Sequence, residues 1–180
     1  IWLLVAKKEY IQNILDFFLL RCNSYLEHIQ MQNGNTDHIW QLLNTIPDPE
    51  IPVISIVELG VIRDITFSEK SYTILITPTY SGCPAVKAFT DDIKECLKEN
   101  GIRNFKLKLV YSPAWTTEWM SDTTKKKLKQ YGIAPPSNTV ICPQCNSKNV
   151  ELISEFGATA CKSMYKCLDC LEPFEFFKCI

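Results

Sequence analysis

Six cysteines crowd the last 39 residues of this chain: Cys142, Cys145, Cys161, Cys167, Cys170 and Cys179. Four of them make two C-x-x-C units, Cys142/Cys145 and Cys167/Cys170, with 21 residues between. Each unit turns tightly enough to aim two sulfurs and several backbone N–H groups at one ion, and two units complete a tetrahedral four-thiolate site. That chemistry is metal binding. Structural zinc is preferred to iron, although tetrahedral thiolates admit either. The surrounding span holds too few apolar residues to fold unaided, so the metal is expected to supply its stability. Cys161 and Cys179 exceed what a four-cysteine site needs; they read as extra thiol ligands, as a second thiol pair, or as inert.

Cys83 is the other place where chemistry is expected. It stands between a strand end and a helix whose first position is Pro84, a favoured place for proline. Orphan N–H groups and the positive end of the helix dipole point at that spot, which should lower the thiol pKa. Gly82 leaves room beside the sulfur for a ligand or partner. Cys96, by contrast, lies on an apolar helix face, where a free cysteine packs as a small hydrophobe. His28 and His38 are the only histidines. A His-rich metal site or a Ser-His-Asp triad in the body of the chain is therefore excluded, and a thiol enzyme built on Cys83 would need its base from a distant segment. No catalytic residue is assigned.

Composition narrows the class further. The 180 residues are 46% hydrophobic and 22% charged, ordinary for a folded protein of one full domain plus something small. Nineteen Lys and Arg against twenty Asp and Glu leave a net charge of −1, which argues against a protein that coats nucleic acid. The Lys125–Lys129 run reads as a solvated helix face rather than a phosphate-binding patch. Nine cysteines, an odd total with paired knuckles, do not resemble a disulfide framework, so a cytosolic protein holding thiolates for metal is expected.

The elements that must position these groups follow from periodicity. Residues 1–30 show helical spacing of apolar residues but too short an apolar run to span a bilayer, and Lys7, Lys8 and Glu9 interrupt it as a signal peptide. Residues 1–35 are read as an N-terminal extension, either upstream sequence ahead of a natural start at Met31 or an amphipathic helix that docks on a partner. Ile39, Leu42, Leu43 and Ile46 predict a short helix capped by Thr36 or Asp37 and stopped by Pro47 and Pro49. The Asp48-Pro49-Glu50-Ile51-Pro52 segment must then be extended and stiff. Two strands, Val61–Phe67 and Thr73–Thr79, flank a turn; a helix over Val86–Leu97 closes at Asn100-Gly101; a strand follows at Phe105–Tyr111, and a helix capped by Ser121 or Asp122 runs to Gly132. Trp115, Trp119 and Met120 serve either the core or a docking patch. The fold class is α+β: a small helix-on-sheet sandwich over 36–133, a stiff linker at 134–138, and a cysteine-rich zinc-ribbon-like β domain over 139–180.

The segments Asp48-Pro49-Glu50-Ile51-Pro52, Leu59-Gly60-Val61 with Asp64, and Thr77-Pro78-Thr79-Tyr80-Ser81-Gly82-Cys83-Pro84 resemble the SufT-like, MIP-type iron–sulfur assembly domains, whose hallmark is one reactive cysteine in a T-x-x-x-x-G-C-P setting. Pro113–Trp119, the basic helix, the ribbon, Ser154–Lys162 and Glu172–Ile180 extend the likeness to the PaaD (PaaJ) family, accessory subunits of the bacterial phenylacetyl-CoA epoxidase. The resemblance spans about residues 36–180 and leaves 1–30 outside. It implies a non-catalytic accessory role in phenylacetate catabolism, assembling or repairing the iron–sulfur cluster of the epoxidase reductase component. Cys83, with Asp48 and Glu50 on the stiff loop, would hold iron or a cluster transiently, while the ribbon recognises the reductase or adds thiolates. A homodimer stays open; no nucleic acid or membrane partner is expected. The alternatives are a metal-ribbon module that binds protein or nucleic acid without moving a cluster, and a Cys83 thiol enzyme.

Overall fold

A computed structural model describes residues 35–179. The readings of residues 1–30 and of a start at Met31 lie outside them. Helix α1, Thr36–Leu43, is capped by Asn35, whose side chain accepts from Asp37 N. The cap therefore falls one or two residues earlier than Thr36 or Asp37, because Asn35 can take the extended conformation that an N-cap needs. Ile39 and Leu43 of α1 are fully buried. Strands β1 (Ile62–Ser68) and β2 (Ser71–Ile76) form an antiparallel hairpin. Its two turn residues, Glu69 and Lys70, both take left-handed backbone angles, which match the strand twist. Helix α2, Ala85–Glu99, buries Phe89, Ile93 and Leu97 and carries the chain over to β3 (Phe105–Leu109), which lies parallel to β2. The sheet order is β1-β2-β3. A short 3-10 turn, Thr117–Trp119, leads to α3, Asp122–Tyr131. Ser121 caps α3 by accepting from Thr124 N at 3.0 Å, and Gly132 ends it at φ +96°.

The second sheet has the order β4-β7-β6-β5, from β4 (Ile133–Ala134), β5 (Val150–Ser154), β6 (Lys162–Cys167) and β7 (Pro173–Phe177). Ala134 is thus a strand residue paired with Phe176, not the start of a free linker. Its own core is small: Ala134, Cys142, Cys167, Phe174 and Phe176. The main core belongs to the first sheet and its helices, yet it also takes in Cys161 and Phe177. Successive strand residues point to opposite faces, so β7 gives Phe174 and Phe176 to one core and Phe177 to the other. Trp115, 3% exposed, meets Phe177 at a ring separation of 5.9 Å and donates from Nε1 to Leu59 O at 3.0 Å. Trp115 and Met120 are accordingly core residues, and Trp119 carries the Arg63 guanidinium 3.3 Å from its ring centre. No helix among the described residues is long and apolar enough to cross a membrane.

The turn before β1 depends on Gly60, which has φ +80° and would place a Cβ 3.3 Å from Trp119 Cβ. Gly60→Ala is expected to cost about 1–2 kcal/mol from backbone strain alone. Urea unfolding measures it, and an unchanged midpoint would contradict the role assigned to this turn.

Candidate functional site

The two knuckles are built alike. Cys142 N donates to Ser147 O and Asn146 N to Cys142 O, while Cys167 N donates to Glu172 O and Cys170 N to Cys167 Sγ. Asn146 and Leu171, each just past the second cysteine of its unit, take left-handed backbone angles that fold the chain back. The Asp169 carboxylate accepts from the Ser147 hydroxyl and from Asn149 Nδ2, locking one knuckle to the other. The Sγ atoms of Cys142, Cys145, Cys167 and Cys170 all lie within 4.8 Å of one another. Cys142 and Cys170 sulfurs are 3.7 Å apart, Cys145 and Cys167 sulfurs 3.5 Å. Sulfurs about 2.3 Å from one tetrahedral ion sit about 3.8 Å from each other, so this donor set fits a zinc-sized cation.

Charge makes the same point. The Cys170 N–H is the main support of a Cys167 thiolate, whose pKa falls to about 7. At Cys170 the Glu172 N–H favours the thiolate, but burial and the neighbouring sulfurs outweigh it and push the thiol up to about 12. Four thiolates at this range repel one another, and a cation among them would offset that repulsion.

Cys179 stands apart from this set, exposed, with its sulfur 3.5 Å from Ser137 O. Cys161 is also outside it, buried at 7% exposure against the first domain. Of the lysine run, Lys127 pairs with Glu58 at 2.6 Å and Lys129 donates to Asn146. Two of the four lysines in the run are thus engaged within the protein.

The second set of groups gathers around Cys83. Asp48, 4% exposed, accepts from Glu50 N and Ile51 N at 2.9 and 2.7 Å through one oxygen, which holds the loop in shape. Burial raises the Asp48 pKa against those two N–H groups and the charge of Lys162. Burial also raises Glu50, helped by the charge of Asp48 and opposed by Lys162 and the Thr159 hydroxyl. Cys83 is half-buried, and the expected lowering of its pKa is overturned. Burial raises it, outweighing the Ala85 N–H at the helix start and the Thr79 hydroxyl, with Glu50 and Asp48 adding to the rise. Pro84 itself lies at the cap, one position before the helix proper.

Sequence reasoning missed Lys162, Thr159 and Glu175. Lys162 is 3% exposed and pairs with Glu175 at 2.6 Å. A lysine directly after Cys161 was the one available signal. Glu50, Lys162 and Glu175 line an open cleft with Ile133, Met164 and Phe174, where the Glu50 loop and the end of α3 meet the second sheet. Among the described residues, Thr77 Oγ1 is the one buried side-chain polar atom without a hydrogen-bond partner.

Residues 36–101 match the family described as an iron–sulfur cluster assembly protein, and 129–178 match the PaaD zinc beta ribbon domain. A protein of Escherichia coli (strain K12) assigned to the 1,2-phenylacetyl-CoA epoxidase as one of its subunits is 46% identical over 151 residues, covering 79% of this chain and 92% of that protein. An Fe-S protein maturation auxiliary factor, SufT, of Staphylococcus aureus (strain USA300) is 34% identical over 80 residues, covering 43% of this chain and 90% of its own length. The crystal structure of a DUF59 domain from Bacillus anthracis is 30% identical, covers 51% of this chain and 89% of that one, and has a TM-score of 0.48. Carrying an assembly domain followed by a ribbon, and 46% identical to its Escherichia coli relative over 92% of that protein, the chain belongs to the PaaD family.

Proposed function

We propose that this protein is an accessory maturation factor of the phenylacetyl-CoA epoxidase system that assembles or maintains the iron–sulfur cluster of the reductase component. The observation that carries the reading is the neighbourhood of Cys83: one half-buried thiol with two acidic groups, Asp48 and Glu50, all three shifted toward their protonated forms. Groups that are neutralised by proximity and burial gain most when a cation replaces their protons. The cargo is ferrous iron or a cluster fragment, held by Cys83 and the carboxylates and passed on. Cys142, Cys145, Cys167 and Cys170 hold a structural zinc, which when bound supplies the folding energy of the ribbon. No reaction step runs through that zinc.

The test uses the full zinc-loaded chain, titrated anaerobically with ferrous iron and then mixed with the cluster-free reductase component. Wild type is expected to take up iron and speed the return of the reductase's visible absorbance. Cys83→Ser is expected to keep its zinc but bind iron at least about tenfold more weakly and lose the acceleration. Iron uptake and transfer unchanged in Cys83→Ser, or absent from wild type, would overturn the reading.

A further inference from the structure

Cys161 belongs to the second sheet by sequence but not to its metal set. Its side chain sits in the main core cluster, the same cluster against which Cys83 packs. Two backbone contacts hold it there: Cys161 O accepts from Lys178 N at 3.0 Å, and the adjacent Lys162 pairs across the ladder with Phe177. Thr159 Oγ1 lies 3.0 Å from Cys161 Sγ and also favours the Glu50 carboxylate, which ties this thiol to the acidic loop of the other domain. The charge of Glu50 reaches both thiols, that of Cys83 reaches Cys161, and Tyr80 senses all three groups. An orphaned buried hydroxyl, Thr77, roots the loop that carries Cys83.

We propose that Cys83 and Cys161, one thiol from each domain, are joint ligands with Glu50 of a single site for a thiophilic divalent cation, which forms only when the ribbon is docked on the assembly domain. The inference rests on Cys83 as the cargo cysteine and adds the second thiolate. A lone thiolate beside carboxylates is a mixed, mostly hard donor set; a second sulfur makes it selective for iron over magnesium or calcium. Loading is coordination without redox. Two S–H bonds, and the Glu50 carboxyl where it is protonated, give their protons to solvent. Two S–metal bonds and one O–metal bond form, and the metal sheds the waters they replace. Among the described residues only the ribbon's four cysteines form a donor group within 4.8 Å, and in this proposal the incoming ion draws Cys83, Cys161 and Glu50 together.

Cobalt(II) is the probe, added to the full chain with zinc already in the ribbon, since zinc outcompetes cobalt at a four-thiolate site. Sulfur-to-cobalt charge-transfer absorption and cobalt affinity are read for wild type, Cys83→Ser, Cys161→Ser and Cys179→Ser. Cys161→Ser is expected to lose about half the charge-transfer intensity and at least about tenfold in affinity, as Cys83→Ser does, with zinc content unchanged and Cys179→Ser equal to wild type. If Cys161→Ser matches wild type while Cys83→Ser does not, this inference fails and the cargo role of Cys83 stands. If neither variant differs from wild type, or wild type binds no second metal, both fail. Should Cys161→Ser misfold, X-ray absorption of cobalt in the wild-type protein decides without a variant: two sulfur neighbours are expected, and one overturns the proposal.

Discussion

Stripping the metal from Cys142, Cys145, Cys167 and Cys170, or replacing Cys142 by alanine, is expected to unfold the ribbon while the first domain survives. The reason is the size of the ribbon's own core. Ala134, Cys142, Cys167, Phe174 and Phe176 form it, and two of those five are themselves in the four-cysteine set. Structural zinc contributes apparent folding free energies of about 10–16 kcal/mol in small modules, more than so few apolar side chains supply. The left-handed Leu171 costs about 1–2 kcal/mol, more than Asn146, which adopts that region readily, and the closed knuckle has to offset it. Hydrogen exchange should therefore show amides of β5 and β6 losing protection on chelation. Those of α2, packed through Phe89, Ile93 and Leu97 into the main core, should keep theirs. Equal protection with and without metal would mean that the ribbon folds on packing alone and that the zinc assignment is wrong.

How much of this was legible in the sequence depended on the range of the interaction. The four-cysteine site was readable because its geometry is local. Two C-x-x-C units each set their own turn, and the strands between need only be long enough to bring the units together. The α3 cap at Ser121 and its end at Gly132 were readable for the same reason. Cys83 shows where local reasoning stops. Its place before a helix was visible, and the Ala85 N–H does favour its thiolate, but burial by segments remote in sequence decides the direction of the shift. Cys161 was ambiguous on sequence because its fate depends on the β6–β7 register and on which face of that sheet meets the first domain. Neither is encoded within reach of the residue itself. Trp115 was ambiguous in the same way, since the groups that bury it, Leu59 O and Phe177, lie about sixty residues to either side.

The second large effect is expected at Phe177. Its ring is 1% exposed and lies against Trp115, and it is the ribbon's main aromatic anchor in the core of the other domain. Phe177→Ala removes that anchor and leaves a cavity that the β6–β7 ladder, pinned by Lys178 N to Cys161 O, cannot easily close. Buried Phe→Ala changes cost about 3–5 kcal/mol, so urea unfolding should show a loss in that range, with Phe177→Leu losing distinctly less. The consequence for function is sharper than the loss of stability. Phe177 is not among the four sulfur ligands, and Cys142, Cys167 and Cys170 belong to the other core, so Phe177→Ala should still carry its zinc. Yet Cys161 shares the main core with Phe177 and its carbonyl accepts from the neighbouring Lys178 N, so its place depends on the docking that this ring secures. Binding of the second metal should therefore weaken by at least about tenfold in Phe177→Ala with every candidate ligand intact. If zinc content, ribbon protection and second-metal affinity all stay at wild-type values while stability drops, the two domains do not need to be docked to handle iron. The ribbon would then act only as a recognition surface. If zinc is retained and iron affinity falls, the attachment of the ribbon to the assembly domain is itself part of the site, which gives a physical reason for the two being carried on one chain.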